Sequence, residues 1–307
     1  MARRLDGKAV AQKIYEELLL RIEDLRRQGI VPCLGAILVG DDPSSRLYVQ
    51  NKQKACERIG LRSIVQTFPA DISEAQLLDH IERWNQDPDI HGILVQLPLP
   101  SHLSKARILE AIDPRKDVDG FHPVNKGLLM ENRARLVPCT PAGILRMLDA
   151  YGIPIEGRHC VVVGRSDVVG KPIATLLLHR DATVTICHSR TANLPDLVRS
   201  ADILVTAIGR AAYIQPDWVN PEATLVDVGI NTVTAADVLR QIVPEHHPKW
   251  AAFRQQGRVL LGDVHPLAYE RVRAYTPVPG GVGPLTVAML VYNTVTAAEL
   301  QAQERGV

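Results

Sequence analysis

The chain has 307 residues, of which 46% are hydrophobic and 22% are charged. A hydrophobic fraction of this size can form a buried core, which argues against a disordered chain. Its 35 Lys and Arg residues against 34 Asp and Glu leave a formal net charge of +1. This balance argues against a nucleic-acid-binding protein, because such proteins carry a clustered excess of basic residues.

Five scattered cysteines, none in a CxxC pair, argue against a disulfide framework or a zinc site and favour a reducing compartment. The N-terminal segment has no signal-peptide core, and prolines interrupt the uncharged run 274–298 before it could span a bilayer. We therefore expect a soluble cytoplasmic protein without a membrane partner.

The first half of the chain alternates amphipathic stretches with short apolar runs. Predicted helices cover residues 6–28, 43 to about 60, 73–87 and 103–112, and predicted strands cover 33–39, 62–67 and 91–95. Pro43 suits the first position of its helix, with Asp42 as the cap. A loop rich in Asp, Gly and Pro follows at 113–127. Sequential strand–helix–strand units of this kind predict a parallel sheet.

A second series of the same kind follows Pro141. Its predicted strands are 159–163, 183–187, 202–206, 224–228 and 258–261, and its predicted helices are 170–179, 193–200 and 285 to about 303. Residues 232–257 are less regular. The last helix is almost wholly apolar in its first half, so we expect it to be buried and to return to the first domain. The predicted division is residues 1–139 plus 285–307 in one α/β domain and 140–284 in the other.

Residues 161–172 have the pattern of a strand, a glycine turn and a helix start. Small residues at such a turn let backbone N–H groups approach a pyrophosphate at the positive end of the helix. The run departs from the usual GxGxxG, because Ser166 stands where the second glycine would be. On this motif alone, a dinucleotide site around Gly164 and an ordinary strand–helix loop are equally good interpretations.

The end of the next strand bears on the choice of cofactor. In NAD-binding folds an Asp or Glu roughly 20 residues after the glycine turn usually holds the ribose hydroxyls. Here the strand ends in Cys187-His188-Ser189-Arg190, without a carboxylate. Arg190 and Arg165 could instead contact a 2′-phosphate, so the sequence favours NADP. The alternative is that His188 and Arg190 form a solvated strand end.

Tyr48 and Lys52 lie four residues apart on the predicted helix 43–60 and therefore share one face. Such spacing alone is more typical of a solvent-facing pair. The surrounding run GDDPSSRLYVQNK (40–52), however, resembles the substrate-site motif of the bifunctional methylenetetrahydrofolate dehydrogenase/methenyltetrahydrofolate cyclohydrolase family. Further blocks resemble that family in its own order: HGILVQLPLP (91–100), KDVDGFHPVN (116–125), GRS (164–166) and PVPGGVGPLT (277–286).

The resemblance covers nearly the whole chain, with two departures. The family usually joins VDVGIN (226–231) to LGDV (261–264) by a short turn, whereas a longer segment intervenes here. His265-Pro266 then follow Val264, where the family often has an acidic or small residue and an aromatic one. The structure and role of the longer segment stay open.

The resemblance implies two α/β domains, a folate domain and a Rossmann-like NADP domain of parallel strands, with the active site in a cleft between them. It also implies tetrahydrofolate one-carbon derivatives as substrates and a homodimer paired through the cofactor domain. The residues implied in folate binding are Tyr48, Lys52, Val95, Gln96, Leu97, Asp119, Pro279, Gly280 and Gly281. Those implied in NADP binding are Gly164, Arg165, Ser166, Gly170, His188, Ser189, Arg190 and Ile230.

The chemistry of the two reactions assigns roles within this set. Oxidation of the methylene carbon needs no metal, because two adjacent nitrogens stabilise the cation that forms, and we expect no metal site. Hydrolysis of the methenyl cation needs a base, but a lysine in water is protonated at neutral pH. Lys52 would need burial, the cationic substrate or a partner to hold its amine neutral. The family's matching residues imply Lys52 as base or proton handler, Gln96 as its neutral partner, Tyr48 packed on the folate and Asp119 anchoring the pterin.

Two other functions stay open at this point. One is another NAD(P)-linked dehydrogenase, of the shikimate or glutamyl-reductase type, which would need none of Tyr48, Lys52 and Gln96. The other is a non-catalytic folate- or nucleotide-binding regulator, against which the presence of Lys52 argues. Asp119 also has an alternative as a turn residue in Asp-Gly. The His246-His247 pair fits a solvated loop better than a metal site, because consecutive side chains point in different directions.

Overall fold

A computed structural model describes residues 2–306 of the chain. The helices are α1 (Gly7–Arg27), α2 (Pro43–Arg58), α3 (Glu74–Gln86), α4 (Lys105–Glu110), α5 (Pro123–Met130), α6 (Cys139–Ala150), α7 (Gly170–Leu178), α8 (Leu194–Arg199), α9 (Ala236–Ile242), α10 (Lys249–Gln256) and α11 (Val282–Arg305), with a 3-10 helix at Pro266–Arg271. The strands are β1 (Arg3–Arg4), β2 (Cys33–Val39), β3 (Arg62–Phe68), β4 (Gly92–Val95), β5 (His159–Val163), β6 (Thr183–Cys187), β7 (Ile203–Thr206), β8 (Thr224–Asp227), β9 (Asn231–Val233), β10 (Val259–Leu261) and β11 (Ala274–Tyr275).

The chain forms two compact units, named here after their sheets. The small-sheet unit contains Ala11–Cys139 and the segment from Thr286 onward, and the large-sheet unit contains the residues up to Val10 together with Thr140–Leu285. The expected division differs at the amino terminus, where the first ten residues belong to the large-sheet unit. The physical reason is β1, which pairs with β11 in parallel and matches Arg3 to Ala274.

The small-sheet unit is built on three parallel strands in the order β3-β2-β4. Every residue of the central strand β2 is buried, as expected for a strand covered on both faces. Gly35 in this strand is packed so closely that a Cβ atom would lie 2.6 Å from the ring of Trp84. Helix α2 follows β2 along the chain, and helix α3 follows β3.

Local signals set the start of both helices. The side chain of Asp42 accepts a hydrogen bond from the backbone N–H of Ser45, and Pro43 occupies the first turn of α2, as predicted. Ser73 and Gln76 form a capping box at the start of α3. Helix α5 was not predicted: it lies partly inside the expected loop 113–127, where Pro123 starts it and His122 caps it.

The large-sheet unit contains six parallel strands in the order β1-β11-β8-β7-β5-β6. The predicted strands of the second series are confirmed, and α6 is an additional helix before them. The strands next to β5 are β6 on one side and β7 on the other, so the strand order reverses at the carboxyl end of β5. Ligands of open α/β sheets bind at such a point. The expected α/β architecture with a Rossmann-like parallel sheet is confirmed.

The longer segment between β8 and the 3-10 helix is more regular than the sequence indicated. Strands β9 and β10 pair in antiparallel fashion, and α9 and α10 lie between them along the chain. This segment has a hydrophobic core of its own, in which Trp250 is 5% exposed and its indole N–H donates to the carbonyl of Val243. We call residues 234–258 the inserted segment.

The last helix begins earlier than predicted, at Val282, and extends to Arg305. Within the small-sheet unit, Asn293 of this helix donates hydrogen bonds of 2.8 Å to the carbonyls of Val118 and Val137. Gln301 donates to the carbonyl of His91. The helix therefore returns to the first half of the chain, as expected. Among residues 2–306, no helix combines the length and apolar character needed to cross a bilayer.

Candidate active site

The first group of predicted site residues lies in the small-sheet unit, on α2 and at the end of β4. Tyr48 and Lys52 are one turn apart on α2, and Tyr48 is 48% exposed. The amine of Lys52 is partly buried and donates a 3.0 Å hydrogen bond to Oε1 of Gln96. The structure therefore brings together Lys52, predicted as base or proton handler, and Gln96, predicted as its neutral partner.

A second hydrogen bond fixes the orientation of the Gln96 side chain. Its Nε2 donates to the carbonyl of Leu97 at 2.7 Å, which leaves Oε1 as the atom that faces Lys52. The backbone N–H of Gln96 donates to the carbonyl of Ile37 in the central strand. Because an amide oxygen carries no net charge, this partner binds the amine without the strong preference for the protonated form that a carboxylate would impose.

Asp119 lies near this pair in the same unit. Burial raises the pKa of its carboxyl group to about 6, while the positive charge of Lys52 acts in the opposite direction. The thiol of Cys139 approaches Oδ1 of Asp119 at 3.9 Å. Backbone N–H groups satisfy the neighbouring Asp117 instead, which accepts from Phe121 and from His122. The two aspartates of the block thus differ: Asp117 holds a turn, and Asp119 keeps accepting capacity.

The other predicted residues of this unit have less direct positions. The side chain of Val95 is 2% exposed and belongs to the core beneath β4, so only its backbone is available to a ligand. Leu97 is partly exposed and precedes a cis Pro98. Lys116 lies in the same sequence block as Asp119, but its amine donates to the carbonyls of Trp84 and Asp87 and completes the end of α3.

Pro279, Gly280 and Gly281 belong to the large-sheet unit, in a tight loop. The N–H of Gly281 donates to the carbonyl of Pro277 at 2.8 Å, and Gly280 has a φ of +104°. A Cβ atom on Gly281 would lie 2.7 Å from that carbonyl oxygen. The glycines are required by this backbone path, and they leave the loop without side chains at two successive positions.

A cavity of about 310 Å³ opens at the carboxyl end of β5 in the large-sheet unit. The predicted cofactor residues that line it are Gly164, Arg165, Ser166, His188 and Ser189. Its position next to the reversal of strand order is the one at which dinucleotides bind in related architectures. Gly170, Arg190 and Ile230 are not among the residues that line it, and Ile230 is 48% exposed.

The glycine turn fits a dinucleotide because its backbone is packed too closely for side chains. A Cβ atom on Gly164 would lie 2.3 Å from the carbonyl oxygen of Ala207, and one on Gly170 would lie 2.2 Å from that of Gly164. Ser166 accepts hydrogen bonds from the N–H groups of Val169 and Gly170 through its hydroxyl oxygen. A hydroxyl that accepts in this way can still donate through its own O–H.

The turn after β6 contains two basic residues, His188, which lines this cavity, and Arg190. The backbone N–H of Arg190 donates to Nδ1 of His188, and Thr191 closes the turn through bonds to His188. The accepting role of Nδ1 puts the proton of a neutral His188 on Nε2. With Arg165 in the cavity wall and Arg190 exposed on the turn, the donor set suits a phosphate on the ribose.

Sequence reasoning missed one wall of the cavity, formed by the residues after β7 and by the start of α8: Leu194, Ala207, Ile208, Arg210 and Tyr213. The guanidinium of Arg210 lies 4.0 Å over the ring of Tyr213. The buried carboxylate of Asp263 holds this loop by accepting from the N–H groups of Ile208 and Arg210. The sequence signal that could have indicated this wall was Gly209, which follows the apolar strand β7.

Two family models match the chain. "Tetrahydrofolate dehydrogenase/cyclohydrolase, catalytic domain" matches residues 5–119, and "Tetrahydrofolate dehydrogenase/cyclohydrolase, NAD(P)-binding domain" matches residues 138–302. Among curated proteins, the bifunctional protein FolD of Koribacter versatilis is 50% identical over 301 residues, which cover 98% of this chain and 98% of that protein.

Solved structures give the same result. The bifunctional enzyme FolD, a methylenetetrahydrofolate dehydrogenase/cyclohydrolase, from Campylobacter jejuni is 42% identical with a TM-score of 0.87, covering 98% of this chain and 99% of that one. The N5,N10-methylenetetrahydrofolate dehydrogenase-cyclohydrolase of Trypanosoma brucei, complexed with NADP and an inhibitor, is 38% identical with a TM-score of 0.87 and the same coverage.

Proposed function

Because this chain belongs to the tetrahydrofolate dehydrogenase/cyclohydrolase family, we propose that it catalyses two successive reactions on one-carbon folates. The first oxidises 5,10-methylenetetrahydrofolate to the methenyl cation with NADP, and the second hydrolyses that cation to 10-formyltetrahydrofolate. The observation that carries this proposal is the 3.0 Å contact of Lys52 with Gln96. A reductase of the shikimate type or a non-catalytic regulator has no need of this pair.

In the first reaction the protein mainly positions its ligands. NADP, when bound, supplies the hydride acceptor. The two nitrogens that flank the methylene carbon of the substrate stabilise the positive charge, so no acid is needed on the protein. The exposed ring of Tyr48 and the short loop Pro279–Gly281 are the surfaces assigned to the folate. Correct placement of two reactants is worth several kcal/mol of the barrier.

In the second reaction Lys52 handles a proton. The oxygen of a water molecule forms a bond to the methenyl carbon, and the water transfers a proton to the Lys52 amine. The added hydroxyl then loses its own proton and becomes the formyl C=O while the bond between that carbon and N5 breaks. N5 takes up a proton, and the formyl group stays on N10. The amine must be neutral when it accepts the proton. Gln96 orients it without adding negative charge, and the cationic substrate disfavours the ammonium form.

Asp119 is proposed to anchor the pterin. The ring presents an amide N–H and an amino group to one side, and a carboxylate with free accepting capacity can bind both. Coulombic interaction between Asp119 and Lys52 supports the assignment of both residues to one site. The partly accessible carboxyl group fits a ligand contact better than the turn role, which Asp117 already fulfils through Phe121 and His122.

The cofactor site is proposed to prefer NADP over NAD. Arg165, Ser166 and His188 line the cavity, and Arg190 lies on the turn beside it. Gly170 packs against the backbone of Gly164, and Ser189 also lines the cavity. Two guanidinium groups favour a 2′-phosphate, which NAD lacks. Ile230 is retained as a proposed contact for the nicotinamide half of the cofactor, on the basis of the family resemblance alone.

We also propose a homodimer that forms through the large-sheet unit. Strand β6 lies at one end of the six-stranded sheet, so its outer backbone edge is open within the described chain. Ile186 on this strand is 42% exposed. An exposed apolar edge strand is a surface for pairing with a second copy. Light scattering of the wild type and of Ile186→Lys tests this: the wild type should have twice the mass of the variant, and equal monomeric masses would contradict it.

The buried positions of all five cysteines as free thiols are compatible with a reducing compartment, and we propose the cytoplasm. The decisive experiment for the function is an assay of purified protein with 5,10-methylenetetrahydrofolate and either NADP or NAD. We expect NADPH to appear, followed by 10-formyltetrahydrofolate, and a lower efficiency with NAD. If no reduced cofactor appeared with either nucleotide, the dehydrogenase proposal would be wrong.

A further inference from the structure

The side chain of Lys249 connects the inserted segment to the loop Pro277–Gly281. Lys249 begins α10, and its amine donates hydrogen bonds to the carbonyl of Leu260, at 2.7 Å, and to the carbonyl of Val278, at 2.5 Å. Leu260 belongs to β10, the strand that closes the inserted segment. The amine thus joins the segment to the residue that directly precedes Pro279.

The burial and charge of this amine affect the strength of its hydrogen bonds. The side chain is partly buried, and burial lowers the pKa of Lys249, while the charge of Asp227 acts in the opposite direction. Hydrogen bonds from a charged donor are stronger than those between neutral groups. Two backbone carbonyls therefore receive a stronger restraint from Lys249 than a neutral side chain could give.

Other hydrogen bonds restrain the chain on each side of Val278. At the start of the loop, the hydroxyl oxygen of Thr276 accepts from the backbone N–H of Asp227 at 2.8 Å. Further along, the N–H of Gly7 donates to the carbonyl of Gly280 at 3.0 Å. Neither of these contacts fixes the peptide that joins Val278 to Pro279. Lys249 supplies the hydrogen bond to the carbonyl of that peptide.

We propose that Lys249 is a positioning residue for folate binding, which acts by holding the loop Pro277–Gly281 in its binding shape. This inference rests on the proposed function, in which Pro279, Gly280 and Gly281 contact the folate. It also gives a role to the inserted segment, which departs from the short turn expected in the family. The segment carries the lysine, and the lysine shapes a substrate loop that lies far from it in sequence.

The role is separable from the stability of the inserted segment. The core of that segment consists of apolar side chains, among them Leu239, Val243 and Trp250. Lys249→Met keeps the length and the aliphatic character of the side chain but removes the donors. Arg240→Met is a matched control, because Arg240 is an exposed residue of α9 that pairs with Asp237 and Glu245.

The test compares the steady-state kinetics of both variants with those of the wild type. For Lys249→Met we expect the KM for the folate substrate to rise about tenfold in both reactions, the loss typical of a hydrogen bond to a charged group. We expect kcat to stay near the wild-type value, since the loss concerns binding. The KM for NADP should not change, and Arg240→Met should behave as wild type.

Hydrogen exchange gives a second readout that does not depend on activity. The N–H of Gly281 is bonded to the carbonyl of Pro277, so a peptide covering 276–284 reports the order of the loop. We expect faster exchange of this peptide in Lys249→Met and unchanged exchange in Arg240→Met. If Lys249→Met failed to fold, Lys249→Gln, which keeps one amide donor, would be measured by the same criteria with an intermediate KM expected.

An unchanged folate KM in an otherwise active Lys249→Met would overturn the proposal. It would also be overturned if the KM values for folate and NADP rose together, because that would indicate general damage to the large-sheet unit. An inactive wild type would instead contradict the proposed function, and hydrogen exchange would then still decide whether Lys249 orders the loop.

Discussion

The amine of Lys52 lies 3.0 Å from the amide oxygen of Gln96, and the other end of that amide is fixed by the carbonyl of Leu97 at 2.7 Å. The lysine therefore has a neutral partner of fixed orientation. A residue that must give and take a proton near neutral pH benefits from such a partner, because a carboxylate would stabilise the charged amine.

Replacement of the amine tests its role in hydrolysis. In Lys52→Gln we expect the hydrolysis of methenyltetrahydrofolate to fall by at least about a hundredfold, the usual contribution of a proton-transfer group, while folate still binds. Stopped assays of methenyl consumption and equilibrium binding measure the two effects. The exposed Lys54 on the same helix provides the control substitution Lys54→Gln. Undiminished hydrolysis in Lys52→Gln would refute the base assignment.

The neutrality of the partner is tested by Gln96→Glu. The substitution keeps the shape of the side chain and places a carboxylate at hydrogen-bonding distance from the Lys52 amine. Because the negative charge favours the protonated amine, we expect cyclohydrolase activity at neutral pH to fall and its pH profile to move toward higher pH. A profile recorded for both reactions checks this. A shift toward lower pH would contradict the proposed role of Gln96.

Asp119 should make folate binding depend on pH. Burial raises the pKa of its carboxyl group to about 6, and the ionised form is the one that accepts two hydrogen bonds from the pterin. Folate affinity should therefore be complete above that pH and decline as the pH falls through 6. Titrations between pH 5 and 8 measure this, and Asp119→Asn should bind more weakly at pH 8 with a flat profile. A wild-type profile without this decline would count against the anchor role.

The same substitution has an expected effect on stability. The folded-state pKa of Asp119 lies above the ordinary value of 3.8, so the ionised group destabilises the folded protein, increasingly as the pH rises from 4 to 6. At pH 8 we therefore expect the free energy of unfolding of Asp119→Asn to exceed that of the wild type by an amount on the order of 1–3 kcal/mol. The variant should accordingly unfold at a higher temperature. The difference should vanish near pH 4. Scanning calorimetry at pH 4 and pH 8 measures it, and equal stabilities at pH 8 would contradict the prediction.

The cofactor preference is tested by Arg165→Ala and Arg190→Ala. Each substitution removes a guanidinium group assigned to the 2′-phosphate, so kcat/KM with NADP should fall roughly tenfold while kcat/KM with NAD changes little. Arg210→Ala is the contrasting variant. Because Arg210 stacks on Tyr213 in the cavity wall, its loss should affect both nucleotides alike. Equal losses with NADP and NAD in Arg165→Ala and Arg190→Ala would argue against phosphate recognition.

The sequence was sufficient where its signals are local. The apolar run of β2 and the cap formed by Asp42 and Pro43 are each contained within a few residues, and both lie where they were predicted. The spacing of Tyr48 and Lys52 placed both on one helix. The sequence pattern alone did not indicate that Gln96 and Lys52 lie close together. That prediction came from the family resemblance.

Features that depend on distant residues were not predictable in this way. The pairing of β1 with β11 joins Arg3 to Ala274, and two-residue strands leave no periodic signal. The cavity wall that contains Arg210 depends on Asp263, which holds the loop from more than fifty residues away in sequence. The inserted segment was judged irregular because its helices are short, whereas its regularity comes from a small core around Trp250.

The pairing of β1 with β11 has a consequence for synthesis. Because Arg3 pairs with Ala274, a nascent chain cannot complete the larger sheet until residue 274 has left the ribosome. The other unit needs Asn293 to bind the carbonyls of Val118 and Val137, so it too reaches its final packing only when α11 emerges. Contacts of such long range slow folding and leave apolar surface exposed in the interim. Both units therefore stay incomplete until residues 274 and 293 have emerged, and chaperones can act on them before that point.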